Sequence, residues 1–198
     1  MMFICFSINV ALIAQTATDQ KPSVIDIGSR LELFVDNYLI DQLNGAHLKL
    51  QTPQPAEVVL KFDRPWEGGN SAYFTVIKDG ETYRMYYRGS RVEPGTAQFT
   101  CYAESPDGIS WKRPNLGLFE VEGTRDNNVI LTPEVAPVTH NFCPFIDKNP
   151  DAPTSERFKA VGGGGSGLYP FVSADGIRWR KLIDDPVILP RLLSVLDL

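Results

Sequence analysis

The 198-residue sequence predicts an all-β chain, a partial β-propeller of about two four-stranded antiparallel blades. Three observations carry this expectation. "SPDGISW", Ser105 to Trp111, returns 68 positions later as "SADGIRW", Ser173 to Trp179. Around both copies run short stretches of aromatic and β-branched residues closed by Gly, Pro, Asn and Asp, the alternation of strands and turns. From residue 70 onward no 3.6-residue apolar stripe interrupts them. Self-similarity at a fixed period marks repeat architectures, and radially repeated four-stranded sheets are propellers.

Taken in order, residues 1–20 read as a signal peptide or leader. The apolar run Phe3 to Ala14 is too short to span a bilayer and has the length of a secretory h-region. A basic n-region is missing and the nearest small-residue site is Ala14-Gln15-Thr16, so a misassigned start or a frayed N-terminus is the other reading. Export would make the chain secreted or periplasmic. Residues 21–69 read as an N-terminal strand segment and loop, 70–138 as a first blade with its connecting loop, 139–190 as a second blade, and 191–198 as an irregular tail.

The first blade is expected from "AYFTVIKDG", "TYRMYYRGS", "QFTCYAESPDG" and "ISWKRP". The second is expected from "HNFCPFIDKNP", "RFKAVGGGG", "GLYPFVSADG" and "IRWRKLI". In the duplicated motif Asp-Gly favours a tight turn with positive φ, so Asp107 and Asp175 are read as turn residues rather than catalysts. The glycine run Val161 to Gly167 lacks the Lys and Ser/Thr of a phosphate-binding loop and reads as a flexible or bulged hairpin. Tyr73, Tyr86, Trp111 and Trp179 read as blade packing.

A net charge of −5 with scattered Lys and Arg leaves no electrostatic footprint for nucleic acid or an anionic membrane. With Cys5 in the leader, Cys101 and Cys143 stand alone in strand-like surroundings, where buried free thiols are expected and a disulfide framework is excluded. Two histidines and no Cys-x-x-Cys pair offer no zinc spacing, and no cofactor is expected.

"LFVDNYLID", "RPWEGG", "YRMYYRG", "YAESPDGISWKRPNLG", "DNNVIL", "NFCPFIDKNP" and "SADGIRW" together resemble a group of exported bacterial proteins. That group is similar to the five-bladed β-propeller glycosidases of glycoside hydrolase families 32, 43 and 68, the invertase, arabinanase and levansucrase clan. The resemblance runs from about Leu31 to Pro190. The Asp box of sialidases has one more residue between Asp and Gly and matches less well.

The resemblance implies two carboxyl groups facing each other across a glycosidic bond, carried by innermost strands. It points to Asp36, Glu67 and Asp147 as the catalytic candidates. Asp36, in "FVDNYLI", stands where similar enzymes place their first catalytic Asp; a turn-capping Asp beside Asn37 is the other reading. Glu67 stands beside Trp66, the one aromatic outside the alternating strands and so the candidate sugar platform; an exposed loop carboxylate explains it equally well. Asp147 closes the first strand of the second blade, near the transition-state-stabilising Asp of related enzymes, although "DKNP" also reads as a turn. For substrate binding, Arg88 is the candidate for a carboxylate or sulfate on a sugar, and His140 and Asn141 for sugar hydroxyls; a solvated strand charge and a satisfied structural pair are the alternatives.

In the enzymes resembled, the general acid is a Glu from a later blade. The expectation is therefore a glycoside hydrolase-like protein, acting on or derived from enzymes acting on poly- or oligosaccharides, present as an N-terminal fragment and inactive as written. The alternative is a carbohydrate-binding or interaction module that completes its propeller by association through open blade edges.

Overall fold

The computed structural model describes residues 24–92, 97–135, 141–164 and 166–189. The expected leader, His140 and the tail from 191 to 198 lie outside the described residues. The chain divides into two units, Met1–Pro55 and Ala56–Leu198. In the first unit, residues 24–55 pass through turns and bends without a strand. Short side-chain caps shape them: the Gly28 amide donates to Asp26 at 2.8 Å and the Tyr38 amide to Asp36 at 2.9 Å.

The described part of the second unit is all-β apart from two single 3-10 turns, Pro133–Val135 and Thr154–Glu156. Strands β1 (Ala72–Asp79), β2 (Thr82–Gly89), β3 (Phe99–Ser105) and β4 (Val129–Leu131) form one antiparallel sheet in that order. Strands β5 (Cys143–Ile146), β6 (Phe158–Gly164), β7 (Gly167–Ser173) and β8 (Arg180–Lys181) form the other. Alternation builds them. In β2, Met85 and Tyr87 point to one face while Arg84, Tyr86 and Arg88 point to the other, so a strand with two covered faces carries buried tyrosines on both. The hairpin expected of the glycine run is present: Gly164 pairs with Gly167, and a side chain on Gly163 would collide with the Gly167 carbonyl.

The duplicated motif folds the same way twice. Ser105 and Ser173 accept the amides of Gly108 and Gly176 at 2.9 Å. Asp107 and Asp175 then cap the amides two and three residues on, at 2.6 to 2.8 Å. Finally Trp111 and Trp179 return their indole N–H to the Gly108 and Gly176 carbonyls, at 2.9 and 3.0 Å. Five of the seven residues are repeated, Ser, Asp, Gly, Ile and Trp, because each closes a bond of a self-contained turn.

One expectation is corrected here. Residues 109–114 do not form the fourth strand of the first sheet; Lys112 makes a single bridge to Glu104 before the chain leaves. Pro114 has no amide to continue the ladder. The place is taken by β4, and the second sheet repeats this two-part edge with β8 and then a bridge from Leu168 to Ile188. The signal was available: Val-Ile-Leu occurs at 129–131 and again at 187–189.

Each face of the first sheet has its own core. One holds Met85, Tyr87, Cys101, Ala103 and Val129 beneath Leu60, Phe62, Trp66 and Trp111. The opposite face holds Tyr86, Tyr102 and Ile130, and Ile177 and Trp179 of the second sheet pack on it. The Tyr86 and Trp179 rings meet edge-on at 6.2 Å, and the chain at Gly176 passes so close that a Cβ would lie 2.6 Å from the Tyr86 hydroxyl. The second copy of the motif is thereby an interlock between sheets as well as a turn. Of the two thiols expected to be buried, Cys101 is; Cys143 is exposed, because it lies on the face of β5 turned away from the first sheet.

These turns carry a pH prediction. Burial alone would raise the Asp175 carboxyl, but the Arg178 and Ile177 amides, the Arg178 guanidinium and the Ser173 hydroxyl outweigh it and hold the group at about 2. Asp107 is also drawn down, by the Ser110 and Ile109 amides first. In an unfolded chain such a group titrates near about 3.9. The folded pKa is the lower one, so this stabilisation is complete above about pH 4 and is lost as pH falls toward about 2. Tm is expected to fall across that window, and Asp175→Asn to flatten part of the fall. A variant that keeps the full slope would contradict the assignment.

Candidate functional site

The first strands of the two sheets, β1 and β5, lie alongside one another. They run the same way, since Asp79 at the end of β1 meets Arg157, whose carbonyl accepts the Asp147 amide just past the end of β5. Their leading ends share an irregularity. Tyr73 (φ 57°) and Asn141 (φ 59°) both occupy the left-handed region, separated by the same 68 residues as the motif. For a bulky Tyr this conformation is an outlier that costs on the order of 1–3 kcal/mol. The β1–β2 ladder also slips there, between Ala72 and Thr75. Strain of this kind persists where the surroundings over-determine it, and it gathers at ligand sites.

Three side chains stand around this point, Tyr73, Arg88 and Asn141. The Tyr73 ring is 48% exposed. Arg88, opposite Ala72 in the ladder, lies 4.6 Å from the ring centroid and donates to the Asn70 carbonyl at 3.0 Å. The Asn141 amide oxygen is buried and accepts no hydrogen bond among the described residues. The leading end thus holds two of the substrate-binding residues expected from sequence, Arg88 and Asn141, while His140 lies outside the described residues. Tyr73, read from sequence as packing, joins them; its 68-residue offset from Asn141 was the available signal.

Glu67 and Trp66 are placed inside the first core instead. The Glu67 carboxylate is fully buried and accepts the Tyr87 hydroxyl at 2.5 Å, the Arg113 Nε and Nη2 at 3.0 and 2.9 Å, and the Arg64 amide at 3.2 Å. Asn128 extends the network, donating to the Tyr87 hydroxyl at 2.8 Å and accepting the Trp66 indole N–H at 2.9 Å. Buried charges require such pairing. Burial, reinforced by Cys101 and Glu67, pushes the Tyr87 phenol far up. Trp66 is 6% exposed, and beside it Arg64, Arg113, Asn115 and Asp126 line a cleft of about 100 Å³, room for a few waters.

At the trailing end of β1 and β5, Asp79 accepts the Arg84 Nε at 2.8 Å and is also bound by Arg157 of the second sheet. The Arg157 hydrogen bond is the chief cause that holds its carboxyl below the usual range, burial opposing. Arg84 in turn donates to the Tyr102 hydroxyl and to the Asp175 carbonyl, each at 3.1 Å. Asp147 occupies the matching place in the second sheet, pairs with Lys159 at 2.7 Å and accepts the Asn149 amide at 2.9 Å. Lys159 likewise draws its carboxyl down. Asp36 belongs to the first unit, exposed and capping Tyr38. Of the three carboxylates expected to be catalytic, Glu67 is thus paired with Arg113 and Asp147 with Lys159. Among the described residues no three His, Cys, Asp or Glu groups come together to hold a metal ion, and no helix is long and apolar enough to cross a membrane.

No family model matches the chain, and no solved structure matches it. It is similar to the uncharacterized protein Rv1502 of Mycobacterium tuberculosis (strain ATCC 25618 / H37Rv), with 29% identity over 119 residues. That alignment covers 58% of this chain and 35% of the relative, so the chain spans about a third of the protein it matches.

Proposed function

We propose that the two sheets are consecutive blades of a β-propeller with glycoside hydrolase-like ancestry, and that the leading end of their innermost strands binds a poly- or oligosaccharide. The observation that carries this reading is the pair of positive-φ residues, Tyr73 and Asn141, at matching places on adjacent innermost strands, with Arg88 stacked beside the first. Sheet order supports the blade assignment, because each sheet runs 1-2-3-4 from the strand that lies against its neighbour. An exposed aromatic ring supplies a sugar-stacking surface, and the Arg88 guanidinium favours a glycan carrying carboxylate or sulfate. In this reading Glu67 and Asp147 hold the fold rather than perform hydrolysis.

The test pairs binding with turnover. The chain is titrated with neutral, carboxylated and sulfated polysaccharides by calorimetry and assayed on fructan, arabinan and aryl glycosides. Charged glycans are expected to bind, Tyr73→Ala and Arg88→Ala each weakening binding about tenfold, with no turnover above background. Turnover abolished by Asp147→Asn in a folded protein would return Asp147 to a catalytic role. A second reading, an interaction module, is favoured by one observation: Phe145, Leu182, Val187 and Leu189 are each about half exposed on the second sheet and its edge.

A further inference from the structure

From the repeat relation we infer that the outer face of the second sheet receives a further four-stranded sheet of the same repeat type, one with a basic residue leading into its second strand and a Ser-x-Asp-Gly-x-x-Trp turn. This deepens the propeller reading and rests on it. The first sheet shows what reception looks like. Its Asp79 is bound by Arg157, its Arg84 donates to the Asp175 carbonyl, and its Tyr86 packs against Trp179. Register carries the same receiving set onto the second sheet. Ile77 pairs with Arg84 as Phe145 pairs with Lys159, and Arg84 faces Glu104 as Lys159 faces Val172, 68 residues on. Asp147 and Lys159 therefore stand for Asp79 and Arg84, and Val161 for Tyr86.

The receiving face of the second sheet lacks the cover that the first enjoys. Ile130, on the face that the second sheet covers, is 1% exposed, whereas Val187, which stands in its place because Leu131 pairs with Thr100 as Ile188 pairs with Leu168, is 50% exposed. Phe145 is 50% exposed. Ile130 is buried beneath the second sheet, while among the described residues nothing covers its counterpart Val187. Charge gives the same direction: Asp79 holds two arginines, and Asp147 has Lys159. The cation that completes it must come from the occupant. A second copy of this chain is the poorer occupant, because its first sheet presents Glu81 and Thr82 where Arg157 would stand.

The experiment extends the full chain with one additional copy of residues 139–198 after Leu198, the copy carrying serine in place of its cysteine. Alkylation of Cys143, exposed on the receiving face, is followed by peptide mass spectrometry in the parent and extended proteins. Docking is expected to slow labelling about tenfold or more, and replacing the copy's arginine equivalent to Arg157 with alanine is expected to restore much of the rate. That change leaves the first two sheets untouched, so it is readable even if Asp147 variants fail to fold. Labelling at the parent rate in the extended protein would overturn the inference. Protection of Cys143 in a dimer of the parent chain would overturn it too, naming a second copy as the occupant. Neither readout involves a sugar, so failure here is distinguishable from failure of glycan binding.

Discussion

Glu67→Ala is expected to destabilise the second unit by about 3–5 kcal/mol, the usual loss when one partner of a buried ion pair is removed. The carboxylate is fully buried and satisfies Arg113 twice, the Tyr87 hydroxyl and the Arg64 amide. Its removal leaves a guanidinium that is 14% exposed without its closest counter-charge and opens space beside Trp66. Glu67→Gln keeps the volume but not the charge, and is expected to fall between alanine and the parent. Thermal unfolding by circular dichroism is the measurement, with a Tm drop on the order of 10 °C for alanine. A protein that keeps its Tm while losing hydrolysis of a glycan would make Glu67 catalytic instead.

Gly176→Ala is expected to cost about 2–4 kcal/mol, and Gly108→Ala only about 1. The two glycines are the same residue of the same turn, at φ 75° and 78°, so both substitutions strain the backbone equally. They differ in what surrounds them. A Cβ on Gly108 meets only the Tyr83 ring at 4.0 Å, whereas on Gly176 it lies 2.6 Å from the Tyr86 hydroxyl and 3.1 Å from Phe158. Tyr86 is completely buried and has no room to withdraw. The difference between the two variants therefore measures the close packing at Gly176, against Tyr86 of the first sheet and Phe158 of its own, free of the turn's own strain. Equal losses would mean that the sheets do not interlock there.

Local rules made much of this legible in the sequence. Asp-Gly turns, aromatic alternation and a 68-residue echo place seven of the eight described strands in two sheets and identify Asp107 and Asp175 as turn residues. What escaped depends on distance in sequence. The fourth strand was read next to its turn because proximity is the default, yet Pro114 ends the ladder and a segment 15 residues further on completes it. For Glu67 the sequence offers a catalytic carboxylate or an exposed loop carboxylate and misses its burial, since nothing in "RPWEGG" announces Arg113 or Tyr87. Asp79 passed as an ordinary hairpin residue because its partner Arg157 lies 78 positions away. Of the residues expected to bind sugar, Arg88 and Asn141 stand at the same end of the two sheets, beside the leading ends of β1 and β5. Trp66 does not join them, as its indole is bonded to Asn128 within the core.

The most direct measurement is a ¹⁵N-edited NMR titration of the chain with a carboxylated or sulfated oligosaccharide. Binding at the leading end predicts saturable shifts centred on the amides of Tyr73, Arg88 and Asn141, with the Ser105–Trp111 turn and the Glu67 network unmoved. Shifts centred on the cleft beside Trp66 and Arg113, or no saturable shift with any glycan, would contradict it.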